Sequence, residues 1–154
     1  FEALATPLAD SGVVTDAGAF VAALEAREQQ VTTRVEPGIA IPHARSAVVK
    51  RLGLVLATAA EPGIPFDPDG GRCRLFLCIA VPANAPTAHL GLLQALAEFA
   101  RNGTRVERLL AVTMPSRVFR VWLRSGFEPT PRTSYRPLQI RRDAAGITVL
   151  DFLV

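Results

Sequence analysis

One short run constrains this chain more than any other feature. Leu75-Phe-Leu-Cys-Ile-Ala-Val81 is continuously apolar, and Arg74 and Pro82 bracket it. The mean hydropathy of +0.27 invites a membrane reading. The run is nevertheless far short of the about 20 apolar residues that a spanning helix needs. It reads as a buried strand, and the rest of the chain has to supply what covers it.

The remaining pattern alternates helices and strands. Phe1, Leu4 and Leu8 recur at helical spacing over residues 1–11, with Pro7 inside and Gly12 beyond as a stop. Asp16 is a good N-cap for a helix to about residue 29. Phe20, Leu24 and Arg27 share one face of that helix, so the arginine extends the inward stripe. Residues 31–35 and 38–41 look extended, broken at Pro37-Gly38. Residues 52–60 and 74–81 are strands, joined through Pro62-Gly63 and Pro68-Asp69-Gly70-Gly71. Residues 86–101 form the clearest helix, with Leu90, Leu93, Leu96, Ala97 and Ala100 as its stripe and Asn102-Gly103 as its end. Helices are expected over 104–110 and 115–124, the second with Val118, Phe119 and Leu123 inward. Residues 126–137, with three prolines, read as a linker. Residues 138–142 and 147–154 resemble a strand pair that needs a sheet edge or a partner chain to be stable. Interleaved strands and amphipathic helices indicate an α/β fold: one sandwich domain with a mixed β-sheet flanked by helices. The domain is expected over 1–125, with 126–154 a linker and tail.

Charge and cysteine content exclude several functions. The net charge is +3, and all but one of the 17 basic residues are arginine, scattered among acids. Without a basic block or aromatic–basic interleaving, nucleic-acid binding has no support. Cys73 and Cys78 lie five residues apart on one strand. Alternation puts them on opposite faces, where they cannot pair. Two such cysteines and two histidines do not make a zinc site. Unpaired cysteines and no visible leader suit a reducing cytoplasm. The chain opens on Phe1 within a helical pattern, so an N-terminal piece is expected to be missing.

The notable string is Glu36-Pro-Gly-Ile-Ala-Ile-Pro-His43-Ala-Arg45. Pro42 fixes the backbone before His43, and Gly38 permits a close approach. A rigid strand end can then present the imidazole. Arg45 falls on the same side if the chain stays extended. Taken singly, a histidine at a strand end is usually a half-buried structural residue. Arg27 alone would be a surface helix arginine, and His89 an exposed first-turn residue.

Several motifs occur together and in order. Arg27-Glu28, Thr32-Thr33 and Gly38-Ile-Ala-Ile-Pro-His43-Ala-Arg45 are followed by Gly63-Ile-Pro-Phe66 and Asp69-Gly70. Leu75-Phe-Leu-Cys-Ile-Ala-Val-Pro82, Ala88-His89-Leu90-Gly-Leu-Leu93-Gln-Ala-Leu96-Ala97 and Val106-Glu-Arg-Leu-Leu110 complete the set. This order resembles the type-2 enzyme IIA family, the mannitol/fructose-class phosphocarriers of the phosphotransferase system, over residues 1–124. The resemblance implies that His43 is the phosphorylated histidine. It implies that His89 supports it from beside the ring, and that Arg27 faces the phosphate. Thr32 either hydrogen-bonds the site or is a plain strand threonine. Arg45, Asp67 and Asp69 are read as structural.

The implied function is a phosphoryl relay without cofactor or metal. A histidine phosphocarrier protein would donate to His43, and a sugar-specific enzyme IIB would accept. Two alternatives share the fold: a regulatory protein of the nitrogen branch, which takes phosphate but acts on a regulatory protein partner, and a non-enzymatic sensor domain attached to a transporter or regulator. The tail after residue 125 matches nothing in the family. It would replace a missing edge strand, pair with a second copy as a homodimer, or lead to another domain.

Overall fold

The computed structural model describes residues 1–111 and the backbone of residues 112, 118–122, 139–142 and 148–151. Its axis is β6, Arg72–Pro82, the run that dominates the sequence. On one edge of β6 lie β2 (Gly38–Ala40) and β3 (His43–Ser46), both parallel to it. The other edge takes β4 (Gly53–Thr58), antiparallel to β6. β1 (Arg34–Glu36) closes the sheet beyond β2, and the short β5 (Ile64–Pro65) also pairs with β6. The sheet is mixed, with nine strands among the described residues.

Helices cover both faces. α1 (Glu2–Asp10) and α2 (Ala17–Gln30) bury Leu4, Leu8, Phe20 and Leu24 against Val55, Phe76 and Cys78. α3 (Leu90–Ala100) and α4 (Gly103–Val112) bury Leu92, Leu96, Val106 and Leu109 against Leu54, Leu56, Leu77 and Ile79. Alternation along β6 explains the division: Phe76, Cys78 and Ala80 face one pair of helices, Leu75, Leu77, Ile79 and Val81 the other. Asp16 caps α2 as expected, its Oδ1 accepting the Ala19 N–H at 2.9 Å.

Four expectations are corrected. Cys73 and Cys78 do not face opposite ways, for both lie in the core on the α1–α2 side. The β2–β6 register shifts between Gly38 and Ile39, so that Arg74 is an extra residue on β6 and Cys73 is turned to the other face. The thiols stay free and buried. Second, the helix expected from residue 86 begins at Leu90. Residues 86–89 form turns, with Ala88 N–H donating to Ala85 O and Leu90 N–H to Thr87 O, which makes His89 the N-cap residue. The buried stripe is accordingly Leu92, Ala95, Leu96 and Ala100, with Leu90 exposed. Third, Val118–Trp122, expected within a helix, is strand β7, antiparallel to β4. Its β-branched and aromatic residues suit a strand once a paired neighbour is available. Fourth, Arg27 is half-buried and does not extend the inward stripe of Phe20 and Leu24.

The tail adds to the same sheet. β8 (Gln139–Arg142) and β9 (Thr148–Asp151) pair antiparallel, and β9 lies parallel to β7. The linker expected over 126–137 lies outside the described residues, as does the rest of the helix expected over 115–124.

Candidate functional site

The site is built where β3 meets the start of α3. The segment before His43 is tied down twice. Ile41 N–H donates to Thr33 O, and Ile79 N–H donates to Pro42 O, both at 2.9 Å. Ala44 is buried on the α1–α2 side. His43 and Arg45, its neighbours on the strand, therefore face the α3 side. There the His43 ring meets the ring of His89, with centroids 5.8 Å apart and planes at 29°, a stacked pair. Both histidines are partly exposed, so the pair lies at the surface.

Hydrogen bonding sets the tautomer of His43. Its Nδ1 lies 2.9 Å from the carbonyl oxygen of Ile41. A carbonyl only accepts, so Nδ1 of the neutral ring carries the hydrogen and Nε2 keeps its lone pair. Nε2 is thus the nucleophilic atom. His89 is held in a different state. Its pKa is lowered, first by partial burial, then by the charges of His43 and Arg45, while the Pro86 backbone pulls weakly the other way. Among the described residues no group reaches hydrogen-bond geometry at its buried Nδ1. His89 is therefore a neutral ring at near-neutral pH.

The structure brings His43 and His89 together, as the sequence reading expected. Arg27 is not joined to either ring by a hydrogen bond or ion pair among the described residues. Its helix packs on the opposite face of the sheet, and its Nη1 donates to Val31 O at 2.8 Å, at the end of α2. That use fits a cation in the last turn of a helix. The remaining N–H groups of the guanidinium stay available. Thr32 Oγ1 accepts the Arg34 N–H at 3.3 Å, and among the described residues no hydrogen bond joins it to either histidine. Asp67 is buried, paired with Arg34 at 2.5 Å and accepting the Gly71 N–H at 2.8 Å, a role in holding β1 to the loop after β5.

Arg45, read from the sequence as structural, lies on the side of β3 that His43 faces. It is exposed, close enough to depress the His89 pKa, and among the described residues no hydrogen bond or ion pair engages it. The signal was present: two residues beyond His43 on an extended strand is the same side. The apolar residues flanking the two histidines differ in exposure. Ile39 and Ile41 are buried, at 4% and 1% exposure, whereas Leu90, beside His89, is 53% exposed. No cluster of metal-ligating side chains occurs among the described residues, and none of their helices is long and apolar enough to cross a membrane.

The chain is similar to known proteins in sequence and in fold. The sequence model of the family described as "Phosphoenolpyruvate-dependent sugar phosphotransferase system, EIIA 2" matches residues 1–124. A fructose-specific EIIA component of the phosphotransferase system from Haloferax volcanii is 39% identical over 102 residues, covering 66% of each chain. The present chain thus spans just under two thirds of that relative's length. The crystal structure of nitrogen regulatory protein IIA-Ntr from Neisseria meningitidis superposes with a TM-score of 0.56 at 34% identity, over 61% of this chain and 64% of that one. The IIA mannitol structure from Escherichia coli, 24% identical, shares the fold with a TM-score of 0.56 over 70% and 75% of the two chains.

Proposed function

For a chain that belongs to the EIIA 2 family of the phosphoenolpyruvate-dependent sugar phosphotransferase system, we propose that His43 is a phosphoryl carrier, loaded and unloaded through Nε2. The observation that carries this reading is the stacked His43–His89 pair with His43 Nδ1 held by the Ile41 carbonyl. The Nε2 lone pair attacks the phosphorus of a donor phosphohistidine. The new N–P bond forms as the donor's breaks, and the electron pair returns to the donor imidazole. No proton has to move, because Nδ1–H stays on Ile41 O and that carbonyl stabilises the positive charge arising on the ring. Such transfer depends on positioning and on charge around the phosphoryl oxygens.

The neighbours supply that charge. A neutral His89 carries one ring N–H that can donate to a phosphoryl oxygen. Arg45 brings a permanent planar cation to the same face of β3; Arg27, which the family resemblance turns toward the phosphate, would have to leave Val31 O and reach round from the end of α2. Leu90 gives a partner an apolar foothold beside the rings. The donor in this reading is a histidine phosphocarrier protein, the acceptor a sugar-specific enzyme IIB, and the setting the cytoplasm. Likeness to a fructose-specific component supports the sugar branch. Likeness to a nitrogen regulatory protein supports a second reading, in which the phosphorylated and free forms bind a regulatory partner differently. Loading His43 with phosphorylated carrier protein, then adding an enzyme IIB, separates them: loss of label from this chain supports the sugar branch, and its retention the regulatory one.

A further inference from the structure

We propose that Glu28 and Thr33 are positioning residues for His43, holding the Ile41 carbonyl where it selects the nucleophilic tautomer. The proposal rests on the reading of His43 as phosphoryl acceptor. It assigns a role to the glutamate of the Arg27-Glu28 pair.

The Ile41–Pro42 peptide is the critical unit, since its carbonyl accepts the His43 Nδ1–H. Proline has no N–H, so this peptide cannot be anchored by a donor of its own. Its plane must be held from both sides. On the far side, Pro42 O accepts the Ile79 N–H at 2.9 Å, tying the segment to β6. On the near side, Ile41 N–H donates to Thr33 O at 2.9 Å. The Ile41 carbonyl is therefore placed no better than Thr33 is placed.

Thr33 lies between the end of α2 and the start of β1, at 5% exposure. Glu28 grips it with both carboxylate oxygens. Thr33 N–H donates to Oε1 at 2.8 Å, and Thr33 Oγ1 donates to Oε2 at 2.5 Å. A carboxylate near the C-terminal end of a helix is on the unfavourable side of the helix dipole. Two charge-assisted bonds to one residue offset that placement and leave the link geometrically specific. Bonds thus run from the Glu28 carboxylate through Thr33 and Ile41 to His43 Nδ1. They connect a helix on one face of the sheet to a ring presented on the other. Weakening the link at Thr33 frees the Ile41–Pro42 peptide to rotate, and the imidazole can then place its hydrogen on Nε2, which blocks the nucleophile.

The test reads the tautomer directly. In the ¹⁵N-labelled full chain at about pH 9, where imidazoles are neutral, long-range proton–nitrogen correlation spectra distinguish Nδ1–H from Nε2–H. The parent His43 is expected as Nδ1–H. Glu28→Ala and Thr33→Val should convert much of the ring to Nε2–H and slow phosphoryl uptake roughly tenfold, as loss of partners that orient a functional histidine commonly does. Glu28→Gln and Thr33→Ser, which keep two polar contacts, should retain the parent tautomer and most of the rate. Should Glu28→Ala fail to fold, Thr33→Val decides, since it keeps the volume and the backbone bond to Oε1. A parent ring mainly in the Nε2–H form overturns the proposal, and so do folded variants with the parent tautomer, whatever their rates. A parent that takes up no phosphoryl group refutes the carrier function instead, and the tautomer measurement still decides the role of Glu28 and Thr33.

Discussion

The imidazoles of His43 and His89 stack at 5.8 Å, yet among the described residues a hydrogen bond fixes the Nδ1 of His43 and none fixes that of His89. The pair is therefore unequal, one ring oriented as a nucleophile and the other kept neutral beside it. Phosphorylation of His43 places negative charge next to His89, and an opposite charge favours the protonated ring. The His89 pKa, depressed below 6.5 in the free protein, should rise on phosphorylation. Titration of the His89 ring by NMR in both forms measures this. A shift further downward would place His89 away from the phosphoryl group.

The same depression links His89 to stability. Its folded pKa lies below the 6.5 of an unperturbed ring, so the unfolded chain binds a proton first as pH falls. Stability should decline as pH drops from about 6.5 toward the folded pKa, then level off once both states are protonated. His89→Gln should remove that part of the slope. Urea melts across the window measure it, and an unchanged slope would contradict the assigned environment.

How much of this was legible in the sequence differs from element to element. The run through Leu77 and Ile79 announced the central strand, and Asp16 announced the start of α2. The meeting of His43 and His89 was not readable from spacing, since 46 positions separate them in the numbering. It was carried by the resemblance, because only the crossover from β6 into α3 brings them together. Periodicity misplaced Val118–Trp122, where pairing with β4 outweighs local pattern. It also misplaced Cys73, because a one-residue irregularity at Arg74 flips every side chain before it. Arg27 fitted an inward stripe, but at a helix end its guanidinium had a carbonyl within reach.

The two arginines should behave differently on substitution. Arg45→Ala should slow phosphoryl transfer about ten- to a hundredfold without loss of stability, since Arg45 is exposed and supplies charge rather than packing. Arg27→Ala should slow transfer and also lower stability, by about 0.5–1 kcal/mol, because it removes a cation from the last turn of α2. Transfer rates beside denaturant melts separate the two. An Arg45→Ala protein with the parent rate would return that residue to a structural or neutral role.

Leu90 tests the docking face. At 53% exposure it contributes little to the core, so Leu90→Asp should fold normally. The new carboxylate would sit beside the rings and repel an incoming phosphoryl group while removing apolar contact. Uptake from the carrier protein should fall several-fold, roughly tenfold or more if the contact is a central anchor. Parent kinetics in Leu90→Asp would move the docking surface elsewhere.

Two substitutions test the scaffold. Asp16→Ala removes the cap on Ala19 N–H and should cost about 1 kcal/mol. Gly63→Ala should cost at least about 1 kcal/mol, because residue 63 has φ +85° and a Cβ there would lie 2.7 Å from Cys73 O. Chemical denaturation reads both. A neutral Gly63→Ala would mean that the turn into β5 can relax.

The central claim is that Nε2 of His43 carries the phosphoryl group, and one labelling experiment addresses it. The parent chain and His43→Ala are each incubated with ³²P-phosphorylated histidine phosphocarrier protein. Acid-labile label on the chain is then counted, and its position on the ring is assigned by ³¹P and ¹⁵N NMR. The account predicts label on the parent, at Nε2 of His43, and none on a folded His43→Ala protein. Label on His43→Ala at the parent rate, or on Nδ1 of His43, or no label on the parent at all, would contradict it.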